Sequence, residues 1–406
     1  MAEFPNWMIS VDDHVLEPGH LWQERVPAKL RDRAPRLIDT DEGTVWEFDG
    51  QRLPTSVLAA AVKLDGDVSP NALDYRDLSP GCYEPKARVA DMDRNHVLSS
   101  LCFPSLPRFC GQLFALHDDQ ELGLACLRAY NDWMLEEWCG TVPGRLMPLI
   151  LIPLRDPKLA VEEIERCAAL GASAIAFSEN PSKLGLPSIH DANYYWDPVF
   201  DAAADANLPL CQHMGSSSAL PQTSADAPYI VTFSLGPTSA MFCLNDWLFS
   251  GQFVRHPNLK ICLSEGGIGW IPYILQRASW VLDRNRAWVE GDVELDSTTA
   301  WVEDQAKGAK VEAFDVPLEQ IFRDHVYGCF IDDIHGVRNL DAIGYDNVMI
   351  ETDYPHVDST FPDSWDMARE ALAGVSEENV YKIVQGNARK VFSTFTFAEE
   401  PALAPG

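Results

Sequence analysis

One pattern constrains this chain more than any other: short apolar runs recur along it, each ended by polar or small residues. Eight are present, WMISVDDHV (7–15), HVLSSLCFPS (96–105), LMPLILIPL (146–154), ASAIAFSEN (172–180), LPLCQHMGS (208–216), LKICLSEGG (259–267), VYGCFIDD (326–333) and VMIETDYPH (348–356). Runs that are apolar on both faces suit strands buried on both sides, as in parallel sheets. Helical periodicity lies between several of them: LAVEEIERCAALG (159–171), which ends in a capping Gly, YWDPVFDAAADANLP (195–209), DMAREALAGV (366–375) and ENVYKIVQGNARKVF (378–392). Strands alternating with helices build βαβ units, and eight of them predict an α/β fold of the (β/α)8 (TIM) barrel type.

Three connections are long. Residues 16–95, 217–258 and 268–325 form insertions after strands one, five and six. Excursions of this length in a barrel serve as lids or partner surfaces, and 16–95 is expected to be lid-like. The chain therefore reads as one barrel domain over 1–395, followed by a loosely ordered tail over 396–406.

Charge and cysteine usage narrow the partners. Against 31 basic residues stand 61 acidic ones, a formal net charge of −30. Such a surface argues against nucleic acid or an anionic membrane as partner, and leaves a small-molecule substrate. An anionic substrate would then need a locally positive site, such as a metal ion. The ten cysteines are scattered without a CxxC pair, as expected of reduced thiols in a cytoplasmic protein. The N-terminal stretch has neither the basic region nor the apolar length of a signal peptide, and no run approaches a membrane span.

In a (β/α)8 barrel, reactive groups come from the C-terminal ends of the strands. Strand one ends in Asp12, Asp13 and His14, strand five in His213, strand six in Glu265, and strand eight in Asp353 with His356 just beyond. Residues two apart on a strand share a face, so Asp12 and His14 point into the barrel and Asp13 points out. With His213 and Asp353 they supply two nitrogen and two oxygen donors. That set suits one divalent ion, Zn²⁺ first and Mn²⁺ second. Glu265 opens Glu-Gly-Gly-Ile-Gly, where it reads either as a helix N-terminal acid or as a general base beside the metal, with glycines that let substrate approach the backbone. His356 is a second contact to the site or to substrate. Trp270 is one of several aromatics, with Trp22, Trp46, Trp247 and Phe361, that belong to the core or wall a pocket for a flat substrate. Neither Arg88 nor Arg108 is singled out as a grip for a substrate carboxylate.

These residues, together with VDDHVLEP (11–18), RVADMDRNHV (88–97), YNDWMLEEW (130–138), HPNLKICLSEGGIGW (256–270), ETDYPH (351–356) and GNARKVF (386–392), resemble the amidohydrolase-related family typified by aminocarboxymuconate-semialdehyde decarboxylase. The resemblance spans nearly the whole chain. It implies a metal-dependent barrel enzyme, a homodimer, and metal ligands at Asp12, His14, His213 and Asp353. The chain departs from the pattern in two places. Asp12 stands where some members have His, and Glu265 stands where the decarboxylases have His.

Three functions follow as expectations. The first is non-oxidative decarboxylation of a small aromatic or unsaturated carboxylic acid, with Asp353 or Glu265 delivering a proton. The second is hydrolysis of an ester, lactone, amide or activated C–C bond by metal-activated water, with Asp353 or Glu265 as base. The departure at Glu265 leans toward this second route. The third, a non-catalytic binding barrel, predicts a broken ligand set, whereas the set here is intact.

Overall fold

A computed structural model describes residues 4–41, 43–53, 60–63, 75–289 and 316–401. Every expected barrel strand is present. Chain order gives β1 (Met8–Val15), a small excursion of β2 (Arg36–Thr40), β3 (Gly43–Phe48) and β4 (Gln51–Leu53), and then β5 (Val97–Pro104). The barrel continues through β6 (Leu146–Met147), β7 (Leu149–Ile150), β8 (Ala174–Ala176), β9 (Leu210–His213), β10 (Ile261–Ser264), β11 (Val326–Phe330) and β12 (Val348–Ile350). The third apolar run thus supplies two short strands rather than one. Pro148 separates them because it has no N–H for the ladder, and its carbonyl instead accepts the Ser173 N–H at 2.9 Å.

All barrel pairings are parallel, in the orders β1–β5–β6 and β7–β8–β9–β10–β11–β12. The ring closes between the first and last strands without a regular ladder. Asp353 donates its N–H to the Asp12 carbonyl (3.0 Å), His14 donates to the Tyr354 carbonyl (2.7 Å), and Thr352 donates to the Ser10 hydroxyl (2.9 Å). The helices Pro157–Ala169, Asp197–Asp205 and Ser364–Ala371 fall where periodicity predicts them.

Burial on both faces explains why the runs read as apolar throughout. Val348, Met349 and Ile350 of β12 are all buried, and so is every residue of β1, β5, β9, β10 and β11. Each large apolar side chain of this kind contributes about 1.5–3 kcal/mol through removal from water. Trp22, Trp46, Trp247 and Phe361 belong to this buried set, in keeping with a core role.

The excursion after β1 packs on the rest of the chain through its aromatics: Phe48 meets Phe114 edge-on at 5.4 Å, and Trp22, which the Trp46 ring meets at 5.2 Å within the excursion, donates its indole N–H to the Cys126 carbonyl at 3.0 Å. Glu17 ties the start of this excursion to the loop after β5, accepting the N–H groups of Ser105 and Leu106, both at 2.9 Å. Within 217–258 lie the helices Tyr229–Leu235, Thr238–Phe249 and Gln252–Arg255; within 268–325 lie Ile271–Val289 and Leu318–His325, while 290–315 falls outside the described residues. The C-terminal tail departs from expectation as far as it is described. Ala398 donates to the Gly144 carbonyl, Gln385 to the Glu400 carboxylate and Trp7 Nε1 to the Pro401 carbonyl, which docks 398–401 against the barrel; 402–406 lies outside the described residues. All ten cysteines are buried and unpaired. No described helix is long and apolar enough to cross a membrane.

Candidate metal centre

Parallel strands bring their C-terminal ends to one mouth, and the polar strand ends meet there. His213 closes β9 and pairs in register with Ser264 of β10, so Glu265 follows directly beside it. Asp12 and His14 come from β1, and Asp353 lies three residues past Ile350. His14 Nε2 is 3.1 Å from Asp353 Oδ1, 3.5 Å from Asp12 Oδ1 and 3.3 Å from His213 Nε2. His213 Nε2 lies 3.6 Å from Asp12 Oδ2 and 3.2 Å from Glu265 Oε2. One donor atom each from Asp12, His14 and His213 fall within 4.8 Å of one another, and so do those of His14, Asp353 and His356.

The electrostatics of this cluster fit a divalent cation. Asp12, His14, His213 and Asp353 are buried; both oxygens of Asp12 and Oδ2 of Asp353 lack a hydrogen-bond partner, while Asp353 Oδ1 lies 2.9 Å from His356 Nδ1 and 3.1 Å from His14 Nε2. Burial pushes the Asp12 carboxyl well up, and the negative groups Glu351, Asp353, Glu265 and Asp13 push it further. Burial acts on Asp353 the same way, but the adjoining His356 and His14 outweigh it and hold that carboxyl below the usual range. Burial drives His14 well down and His213 down to about 4, so both rings are neutral at pH 7. The Met214 carbonyl accepts Nδ1–H of His213 at 2.6 Å, which leaves Nε2 as the lone-pair nitrogen aimed at the cluster. Two neutral imidazoles and two carboxylates with unpartnered oxygens in a buried site are costly alone and form a suitable donor set for Zn²⁺ or Mn²⁺.

Packing fixes the two rings. His356 stacks on His14 with centroids 3.6 Å apart, and its Nδ1 lies 2.9 Å from Asp353 Oδ1. Phe109, from the loop after β5, stacks on His213 at 3.9 Å. Glu265 and Asp353 both hold left-handed backbone, with φ of 56° and 55°. For non-glycine residues this costs on the order of 1–2 kcal/mol and needs support from the surroundings. The Glu265 N–H is held by the Glu351 carboxylate, at 3.1 Å from Oε1. Burial, then Asp353, Glu351 and Asp358, push the Glu265 carboxyl well up.

The loop that follows Glu265 is braced rather than open. Asp333, at the end of the β11 run, accepts the N–H groups of Ile268 (2.8 Å) and Gly269 (2.7 Å). Trp270, expected against substrate, directs its indole N–H to the Gly266 carbonyl at 2.7 Å. Among these glycines, Gly266 admits the helix Thr238–Phe249, since a Cβ there would lie 2.7 Å from Ala240 Cβ. Arg88 is buried and donates to the carbonyls of Gly81 and His14, so it belongs to the barrel wall. Arg108 is exposed, with Nη1 3.3 Å from the Ser218 hydroxyl.

Sequence reasoning missed Glu351, Asp333 and Phe109. Glu351 carried a signal, because it stands two residues before Asp353. Phe109 carried none, since its place depends on how a loop folds back.

Comparison with known proteins agrees with this architecture. A gamma-resorcylate decarboxylase from Rhizobium sp. (strain MTP-10005) is 26% identical over 283 residues, covering 68% of this chain and 78% of that one. The crystal structure of an amidohydrolase from Mycobacterium avium subsp. paratuberculosis K-10 matches with a TM-score of 0.70 at 21% identity, over 96% of this chain and 100% of that chain. A dihydroxybenzoic acid decarboxylase from Polaromonas sp. JS666, crystallised with manganese and the inhibitor 2-nitroresorcinol, matches with a TM-score of 0.57 at 19% identity, over 96% and 97% of the two chains. The profile of the amidohydrolase family covers residues 19–394, nearly the whole barrel, and this chain belongs to that family.

Proposed function

We propose that the chain is a metal-dependent carboxy-lyase that removes CO₂ from a small aromatic or unsaturated carboxylic acid. The observation that carries this reading is the convergence of Asp12, His14, His213 and Asp353, whose unsatisfied oxygens and neutral ring nitrogens would hold one divalent ion. The similarity to decarboxylases of hydroxylated benzoic acids supports the substrate class. Zn²⁺ is the first choice on donor chemistry, and the manganese of the Polaromonas enzyme supports Mn²⁺ as the second. When bound, the ion supplies a Lewis acid that orients the substrate oxygens and offsets negative charge as it develops.

The chain's own groups divide the remaining work. Asp353, held by His14 and His356, stays an anionic donor. Glu265 sits beside the donor set, 3.2 Å from His213 Nε2, and burial among other acids favours its protonated form. It delivers that proton to the substrate carbon as the C–CO₂ bond breaks; a C–H bond forms, CO₂ leaves, and solvent reprotonates the carboxylate. Phe109, stacked on His213 at 3.9 Å, flanks the place where this step occurs. Ten buried free thiols support a reducing compartment such as the cytoplasm.

The Glu265 departure favours a second reading, in which a carboxylate base activates water for hydrolysis. Turnover of a panel of hydroxybenzoic acids in D₂O separates the two. Decarboxylation releases CO₂ and places one solvent deuteron on carbon. Hydrolysis in H₂¹⁸O places one labelled oxygen in product, and CO₂-free turnover of esters or lactones with that label would overturn the lyase reading.

A further inference from the structure

Asp13 lies between two candidate ligands yet faces away from them. Strand periodicity turns it out of the barrel interior, but it is only 1% exposed. Its carboxylate gathers donors from three parts of the wall. Oδ1 accepts the hydroxyls of Ser10 (3.0 Å) and Thr352 (2.6 Å) and the backbone N–H of Tyr354 (3.0 Å). Oδ2 accepts the Ser100 hydroxyl from β5. Thr352 and Tyr354 are the two neighbours of Asp353, so one carboxylate grips the chain on both sides of that donor.

The backbone follows the same pairing. Asp353 donates to the Asp12 carbonyl and His14 donates to the Tyr354 carbonyl, at 3.0 and 2.7 Å. β1 and β12 share no ladder, so these contacts are the seam of the barrel. Arg88 closes it from behind, donating to the His14 carbonyl with its guanidinium 4.4 Å from the Tyr354 ring centroid. Asp353 keeps left-handed backbone at φ 55° only while its neighbours are held.

We infer that Asp13 is a positioning residue for the metal centre, fixing Asp353 against Asp12 and His14 across the closing seam so that donors from both strands meet one ion. The inference rests on the metal reading above. Replacing groups that orient metal ligands typically lowers metal affinity by about 10–100-fold.

The test uses the full-length chain, stripped of metal and titrated with Co²⁺, whose visible absorption reports its donor geometry. Asp13→Ala should bind Co²⁺ about 10–100-fold more weakly and with an altered spectrum. Thr352→Val, which keeps the branched shape but loses one donor, should weaken binding several-fold. Glu163→Gln, which perturbs a buried carboxylate bound by Arg128 and Arg166 on the outer helices, serves as a stability control and should leave affinity and spectrum unchanged. If Asp13→Ala does not fold, Thr352→Val decides. Wild-type affinity and spectrum in the folded seam variants, or losses no greater than in Glu163→Gln, would reduce Asp13 to a fold staple and overturn the inference alone. A wild-type chain that binds no Co²⁺ would overturn the metal reading and this inference together.

Discussion

Glu351 and Glu265 are joined through the backbone: the N–H of Glu265 points into the Glu351 carboxylate, 3.1 Å from Oε1 and 3.2 Å from Oε2. This places a buried acid, Glu351, in contact with the partly buried Glu265 from a neighbouring part of the barrel mouth, the first holding the second in left-handed backbone. Glu351→Leu would leave that buried N–H without an acceptor, a cost of about 1–3 kcal/mol. We expect this variant to keep its metal and lose about tenfold or more in kcat. Metal analysis alongside steady-state kinetics checks it, and an unchanged kcat would make Glu351 a bystander.

Glu265→Gln tests the proton donor itself. The amide cannot deliver a proton, so kcat should fall by about 10²–10⁴-fold, the usual contribution of a positioned acid or base. Metal content should stay at the wild-type level, because Asp12, His14, His213 and Asp353 remain.

Glu17 yields a pH dependence away from the metal ligands. Burial pushes its carboxyl from 4.5 up to about 7, even against the two N–H donors of Ser105 and Leu106. In the folded chain it therefore holds a proton over a range where the unfolded chain has lost it. The resulting stability is fully present below pH 4.5 and is lost as pH rises through about 7. The full effect is on the order of 3 kcal/mol. Chemical denaturation of wild type and Glu17→Gln at several pH values should show the gap between them shrinking across that window; a gap that widens would reverse the assignment.

How much of this could be read from the residues alone follows from what each feature depends on. Asp12, His14, His213 and Asp353 were legible because each ends a strand, and strand periodicity with barrel geometry sends strand ends to one mouth. Asp13 was legible only as a residue facing the other way. Its four partners lie on β1, on β5 and beyond β12, and nothing local says that the first and last strands are neighbours. Glu351 itself carried a signal, standing two residues before Asp353, but its hold on Glu265, 86 residues away, was hidden for the same reason. The break at Pro148 was available from chemistry, because a proline cannot donate within a ladder. The role of Gly266 was not, because it depends on Ala240 of a helix packed against it.

Chelation offers a stability readout of the same centre. A ligand bound only by the folded state stabilises it by about 2.7 kcal/mol at a hundredfold excess over Kd. Exhaustive treatment with a chelator should therefore lower Tm by a few degrees, and Zn²⁺ or Mn²⁺ should restore it. Scanning calorimetry of the two forms checks this, and identical Tm values would count against a bound ion.

The most direct measurement is metal stoichiometry on the purified chain and on its single variants at the four donors. The account predicts about one divalent ion per chain in wild type, and loss of metal together with activity in His213→Ala. Metal below about a tenth of an ion per chain in wild type, or full metal and full activity in His213→Ala, would contradict it.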